Sequence, residues 1–202
     1  MGRPREHGPE VRAQLLRAAA RLLNDEGPAA LSVRRLSAEA EVSSRAVYSL
    51  FGDMPGLLAE LCRRESETMV RRHEAVPRQA NAVAEIQALA LAYRQAALEY
   101  PDLYRLMFDR VVPVSSPSDP DVAYAMRSMA RVEDAVTRAL RQRRRRRDPH
   151  QVTLQLWAVV HGLASLELRG ALGDPATAEA SWRDTVAAVT AGLFAERRAR
   201  IA

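Results

Sequence analysis

The chain has 202 residues, 48% of them hydrophobic and 27% charged, with a formal net charge of +5. That is one large domain or two small ones, with the composition of a globular chain rather than a disordered one. No apolar run reaches the roughly 18 residues of a membrane span. The single cysteine, Cys62, excludes an internal disulfide and fits a reducing, cytoplasmic setting.

The cations are all Arg, with no Lys. A GC-rich genome is the plain reading of that bias, and the charge favours an anionic partner over a cationic one. The N-terminus, Met1-Gly-Arg-Pro-Arg-Glu-His, is polar with no apolar stretch behind it, so no signal peptide is expected.

In chain order the pattern is helical throughout, and an all-α fold of about nine helices is expected. Leu15, Ala18, Ala19, Leu22 and Leu23 fall at helical spacing over 9–26, and Gly27-Pro28 stops that helix. Ser32 can cap a short helix bearing Val33 and Leu36. After a turn at Glu41-Val42, Ser43 can cap a second one bearing Val47 and closed by Phe51. Asp53 opens a long helix over about 53–76 that Pro77 ends. Another helix spans about 79–99, and Pro101 starts the next. The segment 113–120, with three Pro and three Ser, reads as a loop. Asp119-Pro120, Asp148-Pro149 and Asp174-Pro175 each pair an Asp N-cap with Pro at the first helical position. Pro is tolerated there because that N–H has no intrahelical partner.

Two short helices at 33–50 behind a longer one have the layout of a helix-turn-helix DNA reader. The second short helix would enter the major groove, presenting Ser43, Ser44, Arg45, Tyr48 and Ser49, with Ser32 at the start of the first. Arg45 can pair bidentately with guanine, and the small hydroxyl residues allow close approach to phosphates. An ordinary helical hairpin with a solvated polar face fits the same periodicity. Arg3 and Arg5 form a short basic arm that either reaches a groove or frays.

The run from Leu15 through Gly27, Leu31-Ser-Val33, Leu36, Ala40, Val42-Ser43, Val47-Tyr48, Phe51, Asp53 and Leu57-Leu58 resembles the N-terminal domain of TetR-type transcriptional regulators. The resemblance implies a head over 1–52 and a helical effector-binding and dimerisation domain over 53–202. It implies a homodimer acting as a repressor on a double-stranded, inverted-repeat operator and released by a small apolar or aromatic effector. Glu41 stands where the family usually has Gly, Ser44 where it has Lys, Arg45 where it has a small residue, Leu50 where it has a polar one and Met54 where it has Lys. A positive φ at Glu41 would cost about 1 kcal/mol.

Trp157, His161 and Gly162, with the stretch Tyr100–Phe108, resemble a subgroup named for a Trp…His-Gly signature. In the family the last two helices form the dimer. Here Val160, Leu163, Trp182, Val186, Val189 and Leu193 are expected at that interface, because the helix 149–170 is apolar nearly all round. Tyr93, Tyr104, Met107, Phe108, Met126, Met129, Trp157 and His161 are expected to line the effector pocket, with plain core packing as the alternative for each.

Residues 127–147 carry nine Arg against Glu133 and Asp134. The run Arg143–Arg147 invites a second nucleic-acid reading, but it is read as a solvated helix end because the head already offers a DNA surface. The four His (7, 73, 150, 161) lack metal-ligand spacing, and no nucleophile elbow or phosphate loop occurs, so neither enzyme activity, metal nor cofactor is expected. Two other classes stay open: a helical ligand-binding or scaffold protein without operator binding, and a small enzyme using the bundle cavity with His161 as base.

Overall fold

The structure, a computed structural model, describes residues 8–99, 101, 104–105 and 120–195. Among these it has eight α-helices and no strand: α1 (Pro9–Glu26), α2 (Val33–Glu39), α3 (Ser44–Phe51), α4 (Met54–Ala75), α5 (Ala82–Glu99), α6 (Pro120–Gln142), α7 (Pro149–Leu168) and α8 (Pro175–Phe194). A single 3-10 turn, Pro28–Ala30, follows α1. Of the helix expected from Pro101, only Pro101, Tyr104 and Arg105 are described, all helical. Asp119 lies outside the described residues. No helix among them is long and apolar enough to cross a membrane.

The caps follow from local chemistry. Ser32 Oγ accepts from Arg35 N–H at 3.2 Å, and Asp53 Oδ1 from Gly56 N–H at 2.8 Å. Asp148 accepts from His150 N–H, and Asp174 from the N–H groups of Ala176 and Thr177. Each satisfies helix donors that have no intrahelical partner. Ser43 is the N-cap of α3 by backbone geometry, but its side chain makes no cap hydrogen bond.

The described chain divides into two compact units. Residues up to Ser66, with the described part of 100–121, form one; 67–99 and the residues from Val122 onward form the other. The first unit has one core: Leu15, Leu16, Leu22 and Leu23 of α1, Leu36 of α2, Val47 of α3, and Leu57 and Leu61 of α4. The head expected over 1–52 therefore draws the first turns of α4 into its core. Gly56 permits that: a Cβ there would overlap the carbonyl oxygen of Phe51.

The second unit is built on α5, which packs against α7 and α8. Ala82, Ile86 and Leu89 of α5 share a core with Val136 and Leu140 of α6, Val152 and Leu156 of α7, and Phe194 of α8. Glu85 of α5 is wholly buried there. It pairs with Arg138 at 2.7 Å and with Arg131. The same face of α6 holds the connection between α4 and α5. Arg131 donates to Val76 O at 3.1 Å, Arg138 to Gln79 O at 3.3 Å and Gln142 to Ala80 O at 2.8 Å.

Candidate nucleic-acid interface and effector-binding residues

On α3 the sequence dictates two opposite faces. Ala46 and Val47 are buried in the head core, while Ser43, Ser44, Arg45, Tyr48 and Ser49 are exposed. Tyr48 is 55% exposed, an unusual state for an aromatic side chain. Ser32 is exposed as well. All six residues expected to meet DNA thus lie on the head's surface, four of them along one short helix and Ser43 at its N-cap.

The far end of α3 is held by α1. Arg12 donates to Leu50 O at 3.1 Å, its guanidinium sits 4.8 Å above the Phe51 ring, and it pairs with Glu60 at 3.6 Å. The turn before α3 is held by the same helix, through Gln14 donating to Ala40 O at 2.8 Å. Glu41 has φ 51°, so the turn takes the left-handed geometry that glycine favours with a residue that resists it. Val42 N–H closes the turn onto Ser37 O at 3.0 Å.

Charge on this surface is selective. Arg21 is tied to Glu39 at 3.4 Å and Arg35 to Glu26 at 2.7 Å. The Glu26 hydrogen bond holds the Arg35 guanidinium above its usual range. Arg34 and Arg45, both exposed, have no carboxylate partner among the described residues. Arg34 was missed in the sequence, although it sits off the Val33 and Leu36 stripe, two residues from the cap. Arg3 and Arg5 lie outside the described residues.

In the second unit three expected pocket residues come together. Tyr93 is buried on α5, and its Oη lies 3.4 Å from His161 Nδ1 on α7. The Trp157 ring stacks on His161, centroids 5.5 Å apart, and is 39% exposed. Met129 is half-buried on α6; Tyr104, which belongs to the first unit, is buried there. Met107 and Phe108 lie outside the described residues, as does the side chain of Met126.

His73 was not anticipated. It stands four residues after Met69 on the apolar side of α4, which reads as core. It is buried, 6.4 Å from the Tyr93 ring, with Nδ1 2.8 Å from Ser128 Oγ. Burial pushes its pKa down to about 4, helped by the Arg131 charge and opposed by Ser128 and Leu89. It is therefore a neutral imidazole at ordinary pH. Among the described residues no group of His, Cys, Asp and Glu is placed to hold a metal.

The residues expected at the dimer interface are covered to differing degrees by the chain itself. Val160, Leu163, Trp182 and Val186 are buried within the chain itself, Trp182 completely. Its indole donates to Glu167 at 2.7 Å, a carboxylate that also holds Arg94 at 2.7 Å. Val189 and Leu193 pack against the same chain's core. Apolar periodicity marked burial without telling which body does the burying. The exposed faces are instead Trp157, Ala158 and Leu166 on α7, and Ala180, Ala187, Ala188, Ala191 and Gly192 on α8.

Comparison with known proteins agrees with this geometry. Residues 15–61 match the family described as bacterial regulatory proteins, tetR family, and residues 86–189 match the tetracyclin repressor-like C-terminal domain. The chain belongs to the TetR family. It is a DNA-binding transcriptional regulator by class. Among solved structures it is similar to a protein of unknown function from a Rhodococcus species, with 29% identity and a TM-score of 0.73, covering 96% of this chain and 97% of that one. It shares its fold with the TetR family transcriptional regulator PfmR from Thermus thermophilus, at 20% identity and TM-score 0.70, over 89% and 95% of the two chains. It also shares it with the TetR family protein ActR of Streptomyces coelicolor in complex with (S)-DNPA, at 20% identity and TM-score 0.64, over 93% and 98%. No curated protein matches.

Proposed function

We propose that this TetR-family regulator is a ligand-responsive repressor that binds an inverted-repeat operator as a homodimer and is released by a small apolar or aromatic effector. The observation that carries the DNA half is the polar outer face of α3, with Tyr48 more than half exposed beside Arg45. Such a face suits a groove that offers phosphates and base edges within reach of one helix.

A two-fold protein reads a two-fold site. The exposed small residues of α8 and the exposed Trp157 and Leu166 of α7 support a partner chain as their cover. A Cβ added at Gly162 or Gly192 would meet nothing within 4 Å in the single chain, so both positions leave room for a second helix.

The effector half rests on Tyr93, His161 and Trp157, two aromatic surfaces with a hydroxyl and an imidazole between them. That ActR is solved with a small molecule supports the same use of this fold. For release, the effector must favour the state that does not bind DNA; equal affinity for both states would shift nothing.

Selection of bound sequences from a random DNA pool tests the reading. An inverted repeat is the expected product, and its release by apolar ligands, followed through Trp157 in a Trp182→Phe host, tests the effector. Enrichment of no sequence would remove operator binding. Equal release from Trp157→Ala and His161→Ala proteins would move the pocket elsewhere.

A further inference from the structure

Outside the end of α6 most described arginines are neutralised, although Arg17, exposed on α1, has no ion pair among the described residues. Arg12 pairs with Glu60, Arg35 with Glu26, Arg78 with Asp134, Arg94 with Glu167, Arg138 with Glu85 and Arg183 with Glu179. The last turn of α6 and the turn after it break that pattern. Arg141, Arg143, Arg144, Arg145 and Arg146 have no ion pair among the described residues, and all but the half-buried Arg145 are exposed. Arg147 meets only neutral acceptors, Gln155 Oε1 at 2.9 Å and Leu193 O at 3.4 Å. The nearest acid in sequence, Asp148, is engaged in capping α7.

We propose that this turn is a second nucleic-acid contact, which takes the phosphate backbone of duplex DNA without reading its sequence. The head's exposed Arg34 and Arg45, which have no carboxylate partner among the described residues, lie on the surface proposed above to meet DNA, and the same chemistry suits this turn. Guanidinium groups fit phosphate oxygens bidentately, and a cluster of them gains affinity by displacing the counterions of a polyphosphate.

Two helix carboxyl ends do lie close, α6 at Gln142 and α8 near Leu193, and their dipoles attract cations. One or two arginines answer that demand, and Arg147 already does so at α8. The backbone adds a second sign. Arg144 has φ 49°, closing the end of α6 in a left-handed conformation where glycine is the unstrained choice. Arg145 N–H completes that closure onto Leu140 O at 2.8 Å.

Residues 141–147 contain only Arg and Gln. They therefore offer no apolar anchor for a protein partner and nothing to insert into a bilayer. The pairing of most other arginines favours this contact over a merely solvated helix end.

The test uses the full chain and a short duplex of random sequence, with affinity measured against salt. The variants are Arg143→Gln through Arg147→Gln together, Arg34→Gln with Arg45→Gln, and all seven. The fivefold variant is expected to lose about tenfold in affinity at low salt, with a salt slope shallower by about two or more. The head variant is expected to keep the binding that the fivefold variant lacks, and a fivefold Arg→Lys variant to keep most of it. Parental affinity and slope in the fivefold variant would overturn the proposal. So would tighter capture of the parent chain by polyglutamate or phosphatidylglycerol vesicles, if that capture is lost with the same five arginines. Should the fivefold variant lose its melting transition, Arg143→Gln with Arg146→Gln, two exposed positions, carries the same comparison.

Discussion

Glu85 and Arg138 form a 2.7 Å ion pair in which the carboxylate has no exposed surface at all. Burial alone would raise the Glu85 pKa. Arg138, the Gln79 N–H and Arg131 outweigh it and hold the group down at about 2. Replacing Glu85 by Ala would leave two guanidinium groups facing an apolar core. The expected loss is about 3–5 kcal/mol, read as a drop in the urea midpoint. The ionised carboxylate stabilises the fold above its unfolded pKa of 4.5, and that contribution disappears as pH falls toward 2.

His73 predicts a separate, earlier pH effect. Its folded pKa of about 4 lies below the unfolded 6.5, so protons bind the unfolded chain more tightly. Stability is unaffected above pH 6.5 and decreases as pH falls from there toward 4, by at most about 1.4 kcal/mol per pH unit. His73→Gln should flatten thermal melts between pH 6.5 and 4.5, the range above the window of Glu85. An unchanged pH profile would show that His73 titrates normally.

Two backbone positions in the head should respond in opposite directions. Glu41→Gly relieves a φ of 51° and is expected to stabilise by up to about 1 kcal/mol. Gly56→Ala drives a methyl into the Phe51 carbonyl oxygen and is expected to destabilise by about 1–3 kcal/mol. Thermal melts of both variants, in one buffer, check the signs.

For operator binding, Arg45→Ala should weaken the selected sequence by about 1–3 kcal/mol and relax preference at one position of each half-site. A uniform loss across all sequences would mean that Arg45 touches phosphate only. Tyr48→Phe separates the hydroxyl from the ring: retained affinity assigns the aromatic face, lost affinity the hydroxyl.

For assembly, Leu166→Arg and Ala188→Arg alter exposed positions of α7 and α8 and are expected to give folded monomers in sedimentation. Trp182→Ala removes a completely buried ring and its bond to Glu167, and is expected to cost about 3–5 kcal/mol of stability. Dimers from both Arg variants would sink the interface proposed on these faces.

What was legible in the sequence was local. Ser32, Asp53, Asp148 and Asp174 cap the helices they precede because capping needs only the next two or three N–H groups. The outward set on α3 was legible because Val47 and Phe51 fix which side faces in. Glu85 was not, because its partners Arg131 and Arg138 are 46 and 53 residues away and an acid between Ala84 and Ile86 reads as surface. The side of α7 and α8 that a partner would cover was hard to read for a related reason. Val160 and Trp182 are as apolar as an interface demands, yet both are already buried within the single chain.

The connection between α4 and α5 has no regular structure, yet few of its polar groups are idle. The Gln79 and Ala82 N–H groups donate to Glu85 and Gln142, and the carbonyls of Val76, Gln79 and Ala80 accept from α6. Its length is thus set by side chains some sixty positions later, not by the entropy of a free loop. Surface turns usually admit extra residues at little cost; here one added residue would shift several donors and acceptors out of register at once. A reporter or affinity tag spliced into this stretch would act as a core mutation, however accessible the insertion point looks.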